Sequence, residues 1–104
     1  MAQVNKHILV TGYLNEAPQA EYVTFLEDWF KRLVEAVDMK VLIDPICVWC
    51  NDEGNEGVTG MVGITTSHSS IHFWSGEPSY YKFDLYSCKD FALESVAEML
   101  KELG

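Results

Sequence analysis

Serine, histidine and cysteine crowd two short stretches of this chain. The first is Thr66-Ser67-His68-Ser69-Ser70-Ile71-His72-Phe73-Trp74 and the second is Phe83-Asp84-Leu85-Tyr86-Ser87-Cys88. Hydroxyl, imidazole, carboxylate and thiol groups are the raw material of nucleophilic and acid–base chemistry. A serine–histidine–acid triad is one reading, but the G-x-S-x-G turn that presents such a serine is missing. Another is that serine and threonine line the wet side of a strand, which requires no chemistry. Cys47-Val48-Trp49-Cys50 forms a C-x-x-C. A redox pair of this kind opens a helix, whereas this one ends a β-rich run. A structural zinc would need a second ligand pair that only Cys88 with a histidine could supply. Chance is the preferred reading of the motif, and no metal is expected. Three cysteines cannot build a disulfide framework.

The elements around these residues follow from periodicity. His7 to Tyr13 (HILVTGY) is β-rich and runs into a polar loop around Asn15 and Pro18, so it reads as a strand. Tyr22, Phe25, Leu26, Trp29, Phe30, Leu33, Val34 and Val37 recur at steps of three and four, one buried helix face, with Pro18 near its first turn. Lys40 to Cys50 is a second strand, bulged at Pro45 or lying at a sheet edge because proline cannot donate to a ladder. After the polar turn Asn51 to Gly57 come a strand at Val58 to Thr66 and another at Ser70 to Trp74. The turn Ser75-Gly76-Glu77-Pro78 then leads to a fifth at Tyr80 to Tyr86. Ser87 and Asp90 resemble a capping box opening a last helix with Val96, Met99, Leu100 and Leu103 on its apolar face.

The order β-α-β-β-β-β-α predicts an α+β fold, a two-layer sandwich with an antiparallel sheet and two helices on one face. The other sheet face is then solvated or covered by a second copy. The aromatic residues Phe73, Trp74, Tyr80, Tyr81, Phe83 and Tyr86 favour a homodimer.

Composition bounds the function. A chain of 104 residues has room for one domain, spanning 1–104, and lies near the lower end for a self-sufficient core. A hydrophobic fraction of 48% and a charged fraction of 22% are ordinary for a globular protein. No apolar run is long enough to span a membrane. The opening Met1-Ala2-Gln3-Val4-Asn5-Lys6 lacks a basic region followed by an apolar one, so a cytoplasmic protein is expected. The net charge of −9 argues against nucleic acid and suits a cationic small-molecule substrate.

The spacing of the chemical residues resembles the prokaryotic pyruvoyl-dependent S-adenosylmethionine decarboxylases. That family carries Glu-Ser-His, two residues, Ile-His, one residue, Trp-Pro-Glu, and then an Asp-containing strand ending in Cys. Ser67-His68, Ile71-His72, Trp74, Asp84 and Cys88 match in order, with one extra residue in the turn after Trp74. Upstream, His7-Ile8-Leu9-Val10 with Tyr13 matches the family's opening strand, and Gly57-Val58-Thr59-Gly60 its Gly-Val-Ser-Gly. The resemblance implies decarboxylation of S-adenosylmethionine for polyamine (spermidine) synthesis. The cofactor is a pyruvoyl group derived from Ser67 by self-cleavage at Thr66-Ser67, and its ketone takes the substrate amine and acts as electron sink. By the same resemblance His72 assists the elimination as a base, Cys88 reprotonates the substrate carbanion, and Thr59 replaces the serine that helps processing. Residues eight apart on a continuous strand are about 26 Å apart, so Thr59 and Ser67 of one chain cannot meet unless a turn intervenes. In the family the processing residues come from the neighbouring subunit. Each site is therefore expected to pair Ser67 and Cys88 of one chain with Thr59 and His72 of the other.

The departures bear on processing and substrate. Thr66 stands where the family has glutamate, and Ser75-Gly76-Glu77 replaces Pro-Glu, leaving Glu77 as the candidate for the ribose hydroxyls. Trp49 is the candidate for stacking on adenine. Two alternatives stay open: an unprocessed homologue acting as a binding or regulatory subunit, and a pyruvoyl decarboxylase of another amino acid such as arginine or ornithine.

Overall fold

Alternation of side chains builds the sheet in the computed structural model, which describes residues 5–103; the chain's opening, Met1 to Val4, lies outside them. Along β1 (Lys6–Tyr13) exposure alternates residue by residue, as a strand with one covered face requires. It is followed by α1 (Tyr22–Ala36), β2 (Val41–Cys50), β3 (Gly57–Ile64), β4 (Ser67–Trp74), β5 (Tyr80–Ser87), α2 (Leu93–Leu100) and a 3₁₀ turn at Lys101–Leu103. The five strands form one antiparallel sheet in the order β1-β5-β4-β3-β2. The expected α+β order of elements is the observed one.

The core lies between one face of this sheet and the helices. Leu26, Trp29, Phe30, Leu33 and Val34 of α1 are buried against Val58 and Val62 of β3, Ile71 and Phe73 of β4, and Phe83 and Leu85 of β5. The Trp29 indole N–H donates to the Met99 carbonyl at 2.9 Å, which ties α1 to α2 without leaving the buried nitrogen unpaired. Gly60 lets the layers approach. A β-carbon there would lie 2.6 Å from Cys47 Sγ and 3.0 Å from the Phe30 ring.

Several boundaries differ from expectation, each for a local reason. Strand β3 stops at Ile64 and β4 begins at Ser67, because Thr65 and Thr66 close a two-residue hairpin that pairs Ile64 with Ser67. The serine-rich start of β4 carries little β propensity, but it is the middle strand. Ser69 is fully buried there, its hydroxyl donating to the Asp84 carbonyl at 2.7 Å. Ser87 does not open the last helix. It ends β5 and accepts the Lys89 N–H at 2.9 Å, while Asp90 accepts the Phe91 N–H and the Lys6 ammonium, so the pair shapes the exit turn instead. Pro18 sits in the loop ahead of α1 rather than in its first turn. Strand β2 is both bulged, with register shifts between Val41 and Ile46, and an edge strand, which accommodates Pro45. Among the described residues no helix is long and apolar enough to cross a membrane.

Candidate functional site

The β3–β4 hairpin decides where the chemistry falls. Its register places Thr59 opposite His72 and Ile64 opposite Ser67. A turn does intervene between Thr59 and Ser67, yet it does not bring them together. Ser67 sits at the turn, and His72 lies five residues along β4, roughly 17 Å away by strand rise. An odd separation along a strand also puts the two on opposite faces. The chain therefore presents two separate clusters.

At the turn end, the Ser67 hydroxyl accepts the Cys88 backbone N–H at 3.4 Å, and the Cys88 thiol meets the Thr66 hydroxyl. β4 brings Ser67 and the end of β5 brings Cys88, which is exposed. A cleft of about 350 Å³ opens here between the hairpin turn and the stretch Asp38 to Lys40 that follows α1. A larger cleft of about 660 Å³, between the loop after β1 and the chain's last turn, touches none of the candidate site residues Trp49, Thr59, Thr66, Ser67, His72, Glu77 and Cys88.

The second cluster stands on the sheet face away from the helices. Thr59 Oγ1 and His72 Nδ1 are 3.1 Å apart, which leaves His72 Nε2 available. Beside them Trp74 and Tyr80 stack at 4.8 Å with their planes 14° apart. In sequence this half-buried platform counts only toward a dimer surface and, for Trp74, toward the family spacing; strand parity on β4 is what links Trp74 to His72. Trp49, opposite Val58, faces the helix layer and packs on the core. Glu77 is exposed in the turn between β4 and β5, at the same end of the sheet as Trp74 and Tyr80.

A serine, a histidine and a carboxylate do converge on that open face, in an order that excludes a triad. Asp84 accepts the Ser70 hydroxyl at 2.6 Å and N–H at 3.1 Å on one oxygen and meets His7 Nε2 at 3.0 Å with the other. The carboxylate sits between serine and histidine, so the histidine cannot take the serine proton. Burial pushes the Asp84 carboxyl up, but the Ser70 hydroxyl, His7 and the Ser70 N–H outweigh it and hold it below its usual value.

The C-x-x-C is split by the same parity. Cys47, opposite Gly60, is buried on the helix side, while Cys50, opposite Gly57, lies on the other face. Burial, then Glu27, pushes the Cys47 thiol up to about 12, so it stays protonated and inert at neutral pH. Among the described residues no group of three or more His, Cys, Asp or Glu is placed to hold a metal.

The open face joins a polar middle, with His7, Thr59, His68, Ser70, His72, Lys82 and Asp84, to an apolar margin. Leu9, Ile43, Ile46, Val48 and Met61 are each more than half exposed on it. The chain has 16 acidic residues, yet Asp84 is the one acid on the paired outward positions of β1, β3, β4 and β5. Of the aromatic residues expected to mark a dimer surface, Phe73, Tyr81 and Phe83 are instead in the core, while Trp74, Tyr80 and Tyr86 stand outward.

Comparison with known proteins gives a consistent result. The sequence model of the family described as S-adenosylmethionine decarboxylase matches residues 6–103. An S-adenosylmethionine decarboxylase proenzyme of Methanococcus maripaludis is 30% identical over 88 residues, 85% of this chain and 68% of the relative. One of Clostridium botulinum (strain Langeland) is 26% identical over 97 residues, covering 92% and 79%.

Proposed function

This chain belongs to the S-adenosylmethionine decarboxylase family, and on that premise we propose that it is a pyruvoyl-dependent decarboxylase of S-adenosylmethionine, serving polyamine synthesis, that forms its cofactor by cleaving Thr66-Ser67. The observation that carries this reading is the position of Ser67. It begins the middle strand directly after an exposed two-residue turn, with its hydroxyl against the Cys88 N–H. Breaking the chain at that turn leaves β3 and β4 paired along their length, so the new first residue of β4 stays fixed at the end of the sheet. The residues present fit a pyruvoyl group there.

Bound at that position, the group supplies a ketone that takes the substrate amine and draws off the electron pair left when carbon dioxide departs. The chain's own residues do the rest. Ser67 is the nucleophile of the processing step. Cys88, held at the same turn, returns a proton to the substrate carbon. Thr59 orients His72 through Nδ1, so that Nε2 serves as the base in processing. Trp74 and Tyr80 offer a flat surface on the face of His72, and Glu77 in the adjoining turn takes the ribose hydroxyls; Trp49 serves adenine only from the helix side. Because Ser67 and His72 lie far apart within one chain, the working site is shared between two copies in a homodimer. The exposed apolar side chains of Ile43, Ile46, Val48 and Met61 on the open face support this reading. Three free cysteines suit a reducing compartment, the cytoplasm.

Intact-mass spectrometry of the denatured protein tests the proposal. Two fragments are expected, the first ending at Thr66 and the second opening with a pyruvoyl group. A single uncleaved species after prolonged incubation would sink it and favour a binding or regulatory subunit.

A further inference from the structure

Two described non-glycine residues have a left-handed backbone, Asp38 at φ 59° and Thr66 at φ 58°. Aspartate tolerates that region because its short side chain bonds locally; a β-branched residue there is a true outlier. The turn itself is also unfavourable. Tight two-residue hairpins prefer positive φ at the first or at both loop residues, whereas here only the second, Thr66, has it. That position calls for glycine or asparagine. Three things hold Thr66 there nonetheless: the pairing of Ile64 with Ser67, the bond from its hydroxyl to the Thr65 carbonyl at 2.6 Å, and its contact with the Cys88 thiol.

The strained residue is the one whose carbonyl Ser67 attacks in the reading above, on which this inference rests. We propose that the left-handed backbone of Thr66 loads the Thr66-Ser67 peptide with strain that self-cleavage releases, so that Thr66 is a positioning residue for processing. In the first step the Ser67 hydroxyl oxygen bonds to the Thr66 carbonyl carbon as the carbon–nitrogen bond breaks, and the nitrogen takes the hydroxyl proton. The peptide becomes an ester, whose easier rotation lets the turn relax. In the second, a base removes the Ser67 α-proton and the Thr66 carboxylate leaves. This frees the hairpin end altogether, and water then converts the resulting enamine to the keto group with release of ammonia. Strain present in the peptide and released as the ester forms favours the first step.

Thr66→Ala and Thr66→Gly separate strain from the hydroxyl, since both lack the hydroxyl and only glycine is at ease at positive φ. Cleavage is followed by mass spectrometry in freshly synthesised chain. Melting temperature is measured in a Ser67→Ala background, where no cleavage intervenes. The alanine variant is expected to cleave within about twofold of the parent, and the glycine variant about five- to thirtyfold more slowly, the range that this strain implies. In the uncleavable background glycine should melt roughly 4 °C or more above alanine. Equal cleavage rates, or a glycine variant that melts no higher, would overturn this inference alone. A parent chain that never cleaves would overturn the proposed function and, with it, any role for strain in processing.

Discussion

The proposed function gives two side chains at the turn end of the hairpin separable duties, and single substitutions test them. Ser67→Ala removes the nucleophile, so cleavage and decarboxylation should both vanish while the sheet and any dimer persist. Cys88→Ala leaves the nucleophile in place. Cleavage should proceed to near completion, and turnover should fall by about 10²-fold or more, the usual scale for losing a proton donor. Comparable activity in both variants, read by mass spectrometry and by carbon dioxide release, would remove these assignments. Asp84 is a third kind of residue, one that organises. Its carboxyl is held below the usual aspartate value by Ser70 and His7 against the opposing effect of burial. A carboxyl depressed in the folded state contributes stability above its unfolded pKa and loses it as pH falls through the folded value. Asp84→Asn should therefore cost about 1–2 kcal/mol at pH 7 and progressively less below pH ~3.8, measured by urea denaturation across pH. A cost that stays constant to pH 2 would mean the charge is not what matters.

At the scale of elements, the sheet depends on close approaches that small residues permit. Gly12 on β1 lies under the ring of its partner Tyr81, and a β-carbon there would fall 2.2 Å from the ring. Tyr81 is buried, so its ring has little room to yield. Gly12→Val should destabilise the protein by about 2 kcal/mol or more in denaturant melts, whereas a chain as stable as the parent would show that β1 can slide over the ring. Phe30→Ala, which empties the contact across Gly60, should cost about 3–5 kcal/mol by the same measurement. Much of this layer was legible in the sequence. The three-and-four spacing from Tyr22 to Val37 marks the buried helix face, and Pro45 marks a bulged edge, because both are local consequences of covalent geometry. The start of β4 was not legible. Ser67 to Ser70 become a strand through pairing with β3 and β5 on either side and through the bond from Ser69 to the Asp84 carbonyl, which are distant in sequence. The apolar patch on the open face was only partly legible, since strict alternation puts Ile43 and Ile46, three apart, on opposite sides, and the bulge around Pro45 is what brings both to one.

At the scale of the whole molecule, one chain holds two clusters set apart along the hairpin, which the proposed function reads as halves of a shared site. Ser67 and Cys88 sit at the turn end of the hairpin, and Thr59 and His72 stand further along it on the face that no helix covers. That face exposes Leu9, Ile46, Val48 and Met61 beside polar groups in which Asp84 is already bonded to Ser70 and His7, so bringing two copies together there buries apolar surface around a satisfied carboxylate. Met61→Lys, which places a charge within that apolar surface, should shift the protein to monomer in sedimentation and abolish cleavage together. A monomer that still cleaves would mean that the site forms within one chain. Complementation makes the same point without touching the interface. In a mixed dimer of a Ser67→Ala chain and a His72→Ala chain, a site shared across the interface leaves one of the two positions with both groups intact. The His72→Ala chain still has Ser67 and borrows His72 from its partner, so it should be cleaved only when the two variants are co-expressed. A site built within one chain gives the opposite result, because each variant then lacks one of its own groups and mixing restores neither. The mass of the His72→Ala chain, cleaved or whole, decides between them.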